Sequence, residues 1–267
     1  MRIVFIDPLA KTFLEITLSW CDKLASTPTV GMKFTQNFVS SGSLLDTISP
    51  ILDKWVDDEK ALFTIDKQDA FSVELTTEDG FHFGIDSARV SVAFVHRLKL
   101  KNQSGSYPAV EMISHPRPYT ELLPDVCERL LEATALLVDA NSRFLEQIGI
   151  VSTTYVDEKD APPGILRFIR HVTEPWNKDL DAYGFQVAAQ LKEDHETSDR
   201  CIHDIARAEH GDGLVTLKFD WQRKFKKENL IPTGTRLEEL LDAARKDALN
   251  YFEELAEGNR FHGDINN

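Results

Sequence analysis

An α+β fold, built from antiparallel strands and two long helices, is what this sequence of 267 residues predicts. Three observations carry the prediction. Segments such as "LVTLKFDWQRKF" alternate apolar and polar residues with period two, the signature of a strand with one wet face. Two long stretches instead repeat apolar residues at helical spacing. Each of these stretches follows a block of strands, where an α/β chain would interleave single strands and helices.

The elements follow in order. "TFLEITLSW" reads as an opening strand, and "LLDTISPILDKW" at 44–55 as a short amphipathic helix capped by Ser43, with Asp46 three residues on. "FSVEL" and "FHFGI" alternate as strands. "ARVSVAFVHRLKL" puts Val90, Val92, Phe94, His96, Leu98 and Leu100 on one face of another strand. Pro116 and Pro118 force an extended entry to the first long helix, and Tyr119 beside Arg117 is a candidate contact there. That helix, "YTELLPDVCERLLEATALLVDA", carries a stripe of Leu123, Val126, Leu130 and Leu137.

Beyond it, "RFLEQIGIV" is a strand and "APPGILRF" leads into a second short helix. Its residues Ile165, Leu166, Ile169, Val172 and Trp176 form a packing stripe. "YGFQVAAQLK" aligns Tyr183, Phe185, Val187, Ala189 and Leu191. "HGDG", with Gly211 and Gly213, reads as a hairpin turn into the strand that carries Val215, Leu217, Phe219, Trp221 and Phe225. In the last helix, Thr235 and Glu238 have capping-box spacing and Gly258 supplies the stop.

This order suggests an internal repeat. "LLDTISPILDKW" superposes without a gap on "ILRFIRHVTEPW" at 165–176, and Phe13-Leu14-Glu15 pairs with Phe144-Leu145-Glu146. The expected organisation is two related α+β halves, 1–139 and 140–267, about a pseudo-twofold axis with the long helices on one side. Up to residue 139 there are 13 Lys and Arg against 20 Asp and Glu, and beyond it 17 against 24. Each half thus carries the same acidic excess, with no basic arm or acidic tail.

A formal charge of −14 disfavours a protein that coats nucleic acid, since phosphate binding needs excess Lys and Arg. Cys21, Cys127 and Cys201 are odd in number and widely spaced, which fits reduced thiols better than a disulfide framework. The opening "MRIVFIDPLA" meets Asp7 after a short apolar run, so neither a signal-peptide core nor a membrane anchor is expected there. A cytoplasmic location with no membrane association follows.

The strand "RFLEQIGIVSTTYV" directly after the first long helix, with the closing "TRLEELLDAARKDALNYFEEL", resembles a sporadically distributed bacterial family of unassigned function. Ile148, Gly149, Ile150 and Tyr155 match the family's mid-chain strand. The arginines and following Asn of that strand have no counterpart in "EQIGIVSTTY". The resemblance implies no activity, cofactor or catalytic residue.

Each candidate site also has a plainer reading. His195, Cys201, His203 and His210 are metal-capable, and alternation puts Cys201 and His203 on one face. Their spacing matches no zinc pattern, so an ordinary hairpin is preferred. "WQRKFKK" places Arg223, Lys224, Lys226 and Lys227 beside Trp221 and Phe225. Cations interleaved with aromatics suit an anionic partner or single-stranded nucleic acid, although the two rings continue a buried face. Arg167, Arg170 and His171 surround the packing stripe of the second short helix and have no counterparts in the first. No nucleophile elbow or phosphate-cradling loop occurs, and no cofactor motif, so none is expected. Acidic runs such as "WVDDEK" read as solvated surface.

The resulting expectation is a non-catalytic binding or adaptor protein of a bacterial accessory or defence system, presenting a sheet face or edge to a protein partner or to a second copy of itself. The alternatives are a small-molecule binder with an apolar cavity between curved sheet and long helix, and a metal-dependent enzyme or nucleic-acid-binding accessory.

Overall fold

A computed structural model describes residues 4–5, 14–15, 19–35, 44, 48–49, 52–53, 63–69, 71–96, 98–101, 109–112, 117–137, 144–176, 180–207, 214–226, 231–232 and 236–260. The strands are β1 (Val4–Phe5), β2 (Leu14–Glu15), β3 (Thr27–Phe34), β4 (Phe63–Gln68), β5 (Ser72–Thr77), β6 (Phe81–Asp86) and β7 (Arg89–Phe94). After them come β8 (Leu98–Lys101), β9 (Ala109–Met112), β10 (Phe144–Asp157), β11 (Tyr183–Glu193), β12 (Thr197–Arg207), β13 (Leu214–Phe225) and β14 (Ile231–Pro232). The helices are α1 (Trp20–Lys23), α2 (Tyr119–Leu137), α3 (Pro163–Thr173) and α4 (Leu237–Glu257).

Nine strands form one antiparallel sheet in the order β11-β12-β13-β10-β3-β7-β6-β5-β4, with β14 added to β10. The fold is therefore α+β with antiparallel strands, as the alternation predicts. Helices cover one face: α2 lies over β3 and β7, α4 lies over β10 and β13, and α3 packs on α4. The core fills the space between. Val30, Met32, Phe34, Ile148, Ile150 and Trp221 point from the central strands toward Leu122, Leu123, Val126, Leu130, Leu241 and Phe252 of the helices, and all are buried. Burying a side chain of this size stabilises by roughly 1.5–3 kcal/mol before entropy is counted, so the apolar stripes of α2 and α4 hold them to the sheet.

Two local devices set the helices in place. Ser19 caps α1 by accepting from Asp22 N at 3.1 Å, and the Asp22 carboxylate accepts from Thr120 N at 2.9 Å at the start of α2. α4 ends on Gly258 at φ +86°, a left-handed stop that a residue without Cβ adopts without strain.

Several expectations need correction. The run from Val90 to Leu100 is not one strand: β7 stops at Phe94, and β8 pairs with β9 in a separate ladder. Phe81 and Phe94 form the last rung beside β6, Val95 N adds one bond to the Gly80 carbonyl at 2.9 Å, and Gly80 at φ +97° turns that neighbour away. Leu14–Glu15 pairs with Val4–Phe5 and has no part in the large sheet. α4 begins at Leu237 with Arg236 as its N-cap at φ +87°, so the capping box is displaced, and Thr235 lies outside the described residues. Trp176 is 73% exposed, unlike Ile165 and Ile169. α3 gives way at Glu174 to a 3-10 turn, whose tighter winding rotates Trp176 out of phase with the stripe. Ser43, Asp46, Gly211, Gly213 and the side chain of Leu137 lie outside the described residues.

No helix among the described residues is long and apolar enough to cross a membrane.

Candidate functional site

The face of the sheet turned away from the helices carries a polar trough of about 700 Å³. Its floor is a single cross-strand row. Gly149 of β10 faces Gly31 of β3, Gly31 faces Ser91 of β7, and Ser91 faces Gly84 of β6. The row continues through Glu74 to Lys67 on one side, and through Gln222 and Arg200 to Gln190 on the other, spanning all nine strands. Alternate residues of a strand point to opposite faces, so the register that sends Val30, Met32, Ile148 and Ile150 into the core must send Gly31 and Gly149 into the trough. A sheet face would ordinarily be covered by side chains at these positions. Here three of four central positions have none.

The glycines differ in the room around them. A Cβ on Gly84 would stand 2.8 Å from Ser91 Oγ, and one on Gly31 would stand 3.4 Å from Ser91 Cβ. A Cβ on Gly149 would meet only Asp220 Oδ1, at 3.9 Å. The walls are polar. Arg200 Nε donates to Gln222 Oε1 at 2.9 Å, and Gln222 Nε2 donates to Asp220 Oδ2 at 2.7 Å. Burial raises the Asp220 carboxyl above its ordinary value, against the opposing effect of the Gln222 bond. Lys33 bonds Glu146 at 2.7 Å beside the β10 bulge. Ser91 Oγ donates to the Gly84 carbonyl at 3.1 Å.

The residues singled out from sequence are dispersed. Arg223 is buried on the helix side, where Nε and Nη2 clamp Asp199 at 2.8 and 2.6 Å and Nη2 also reaches Asp247 of α4 at 2.7 Å. Its guanidinium lies 5.0 Å from the centre of the buried Trp221 ring. Lys224, one residue on, points into the trough. Lys226 pairs with Glu193 at 3.3 Å, and Lys227 lies outside the described residues. Arg167 donates to the Glu257 carbonyl at 3.1 Å, at the C-terminal end of α4, while Arg170 and His171 are exposed on α3. Tyr119 is fully buried, and its hydroxyl donates to the Val151 carbonyl at 3.3 Å.

Cys201 and His203 share the helix-facing side of β12, His195 is exposed in the β11–β12 turn, and His210 lies outside the described residues. Among the described residues no group of three or more His, Cys, Asp or Glu is placed to hold a metal ion. His203 Nε2 instead shares a hydrogen bond with Tyr251 OH of α4 at 2.8 Å. Burial pushes the Cys21 and Cys127 thiols up to about 12, so neither presents a thiolate at neutral pH.

Burial also lowers the His203 imidazole below its ordinary 6.5, against the raising effect of the Val187 backbone. An imidazole that titrates lower in the folded chain binds its proton better when unfolded. Its contribution to stability is complete above 6.5 and is lost as pH falls through the folded value. Thermal melts from about pH 7 down to about pH 5 should show falling stability, with a shallower fall in His203→Phe, which keeps a ring against Phe219 and Tyr251. His96, lowered by burial as well, supplies part of the remaining slope. Parallel slopes for wild type and variant would refute the assignment.

The trough itself escaped the sequence reading. The alternation around Gly31 and Gly149 was a usable signal, because a strand whose wet-face position is glycine leaves a gap, but their pairing across the sheet is a matter of register.

Comparison with family models, curated proteins and solved structures returns no significant match. The functional reading rests on the geometry of the trough.

Proposed function

We propose that this chain is a non-catalytic binding protein whose receiving surface is the glycine-floored trough, and that its ligand is a segment of a protein partner. The observation that carries this reading is the row Gly149–Gly31–Ser91–Gly84 across four adjacent strands. Glycine weakens a strand interior because it packs nothing and loses more entropy on folding. Three of them aligned at the middle of a sheet cost stability and leave room for a ligand's backbone or side chains. The hydroxyl of Ser91 donates to the Gly84 carbonyl, and no imidazole among the described residues bonds to it, which favours binding over nucleophilic catalysis.

The organisation into two related halves, 1–139 and 140–267, belongs to the same proposal. Its support is that β3 and β10 meet antiparallel at Gly31 and Gly149. Each is followed by helical residues, by a meander whose last strand returns beside it, and by a long helix. A twofold relation of that kind would put the trough on the axis, with each half contributing one central glycine.

Gly149→Phe tests the reading. A Cβ there meets nothing nearer than Asp220 Oδ1 at 3.9 Å and the ring would extend into the trough, so the melting temperature should stay within about 2 °C of wild type. A partner retained by the immobilised wild-type protein should be lost from this variant. Undiminished retention by Gly149→Phe would refute the trough as the receiving surface.

A further inference from the structure

Given that the trough is the receiving surface, we propose that its occupant is an extended, carboxylate-rich peptide segment whose acidic side chains meet Arg89, Lys33 and Lys224. The inference begins with register. Arg89 sits directly opposite Lys33, and Gln147 alone separates Lys33 from Lys224, so three cations occupy four adjacent strands next to the glycine row. Like charges facing each other across a ladder destabilise a sheet. A chain with a net charge of −14 has no shortage of acids to place between them, yet its sequence assembles the cations here.

The trough as a whole repeats this bias, with five Lys or Arg in its lining against three carboxylates. The acids are engaged from within: Lys67 holds Glu74 at 3.7 Å, and Gln222 holds Asp220. Of the cations, Lys33 is paired with Glu146 at 2.7 Å, whereas Arg89 and Lys224 are left more open. Arg89 reaches Asp86 at 3.9 Å, Lys33 and its partner Glu146 are each about a third exposed, and Lys224 is exposed with no ion-pair partner among the described residues.

Spacing narrows the occupant further. Adjacent strands lie about 4.8 Å apart, so Arg89 and Lys224 are separated by three steps, roughly 14 Å. In an extended peptide, side chains on one side recur about every 6.8 Å, and three acids at alternate positions cover about the same span. A single-stranded nucleic acid would also present negative charge, but it needs aromatic platforms for its bases, and among the described residues no aromatic lines the trough. The exposed ring of Phe71 belongs to an adjoining cleft at the β4–β5 turn.

The test uses the full chain and three fluorescein-labelled probes followed by anisotropy: a peptide alternating serine with glutamate, the same peptide with lysine, and oligothymidylate. The glutamate peptide should bind and the lysine peptide should not. Lys224→Glu and Arg89→Glu, both at exposed positions, should each weaken glutamate binding about fivefold, with further weakening as salt rises. Gly149→Phe should abolish it. Absence of glutamate-peptide binding, stronger binding of oligothymidylate, or indifference to both charge reversals would overturn the carboxylate assignment. Binding of the lysine peptide that Gly149→Phe removes would overturn that assignment and leave the trough as the site. Glutamate-peptide binding that survives Gly149→Phe would instead overturn the trough reading itself.

Discussion

Arg223→Met is expected to destabilise the protein by about 3–5 kcal/mol, whereas Lys224→Ala should change stability by less than about 0.5 kcal/mol. Adjacent residues of one basic run differ this much because a strand sends them to opposite faces. The Arg223 side chain is 11% exposed, and the Asp199 side chain it clamps is 5% exposed. Asp247, the second partner, is about half exposed and could regain water. Asp199 could not. Removing the guanidinium therefore strands a carboxylate in the core, and the cost of that desolvated charge dominates over the hydrogen bonds lost. The double variant Arg223→Met with Asp199→Leu removes both charges and should recover most of the loss, since an apolar pair of similar volume often matches a buried ion pair. Urea unfolding of the four proteins measures these differences. A loss for Lys224→Ala equal to that for Arg223→Met would refute the assignment of faces.

Gly164→Ala is expected to cost about 3 kcal/mol even though alanine is the better helix former. Intrinsic propensity favours the substitution by up to about 1 kcal/mol in a helix interior. Against it, a Cβ at this position would lie 2.4 Å from the Leu255 carbonyl oxygen, 2.5 Å from Gly258 N and 2.6 Å from Gly258 Cα. All three are backbone atoms at the end of α4, so relief requires α3 to move away as a body. That movement would also break the bond from Arg167 to the Glu257 carbonyl. A urea midpoint for Gly164→Ala equal to or above that of wild type would show that the helices do not approach this closely. Gly149→Ala is the matched control, with nothing nearer than 3.9 Å, and should be almost neutral.

These pairs show which features could be read from the chain. Period-two alternation in 214–225 identified β13 with its ends and its buried face, and the helical stripes placed α2 and α4. Such patterns are local consequences of having one wet face, so they survive without knowledge of the partner element. Arg223 and Lys224 looked equivalent because both are cations in a run. What separates them is Asp199, twenty-four residues away, brought opposite by the β12–β13 register. Trp176 looked like packing because its spacing from Ile169 suited an α-helix, and the 3-10 turn at Glu174 removed that spacing.

The sequence by itself determined the antiparallel α+β class, the two long helices and part of the core, because alternation and helical stripes follow from the geometry of one chain against water. Only the tertiary structure decided that β3 and β10 lie side by side, with Gly31 against Gly149 and Lys33 one step from Arg89. That pairing joins segments more than a hundred residues apart. No local periodicity encodes which strand will be the neighbour, so a trough made by that pairing appears only when the sheet is assembled.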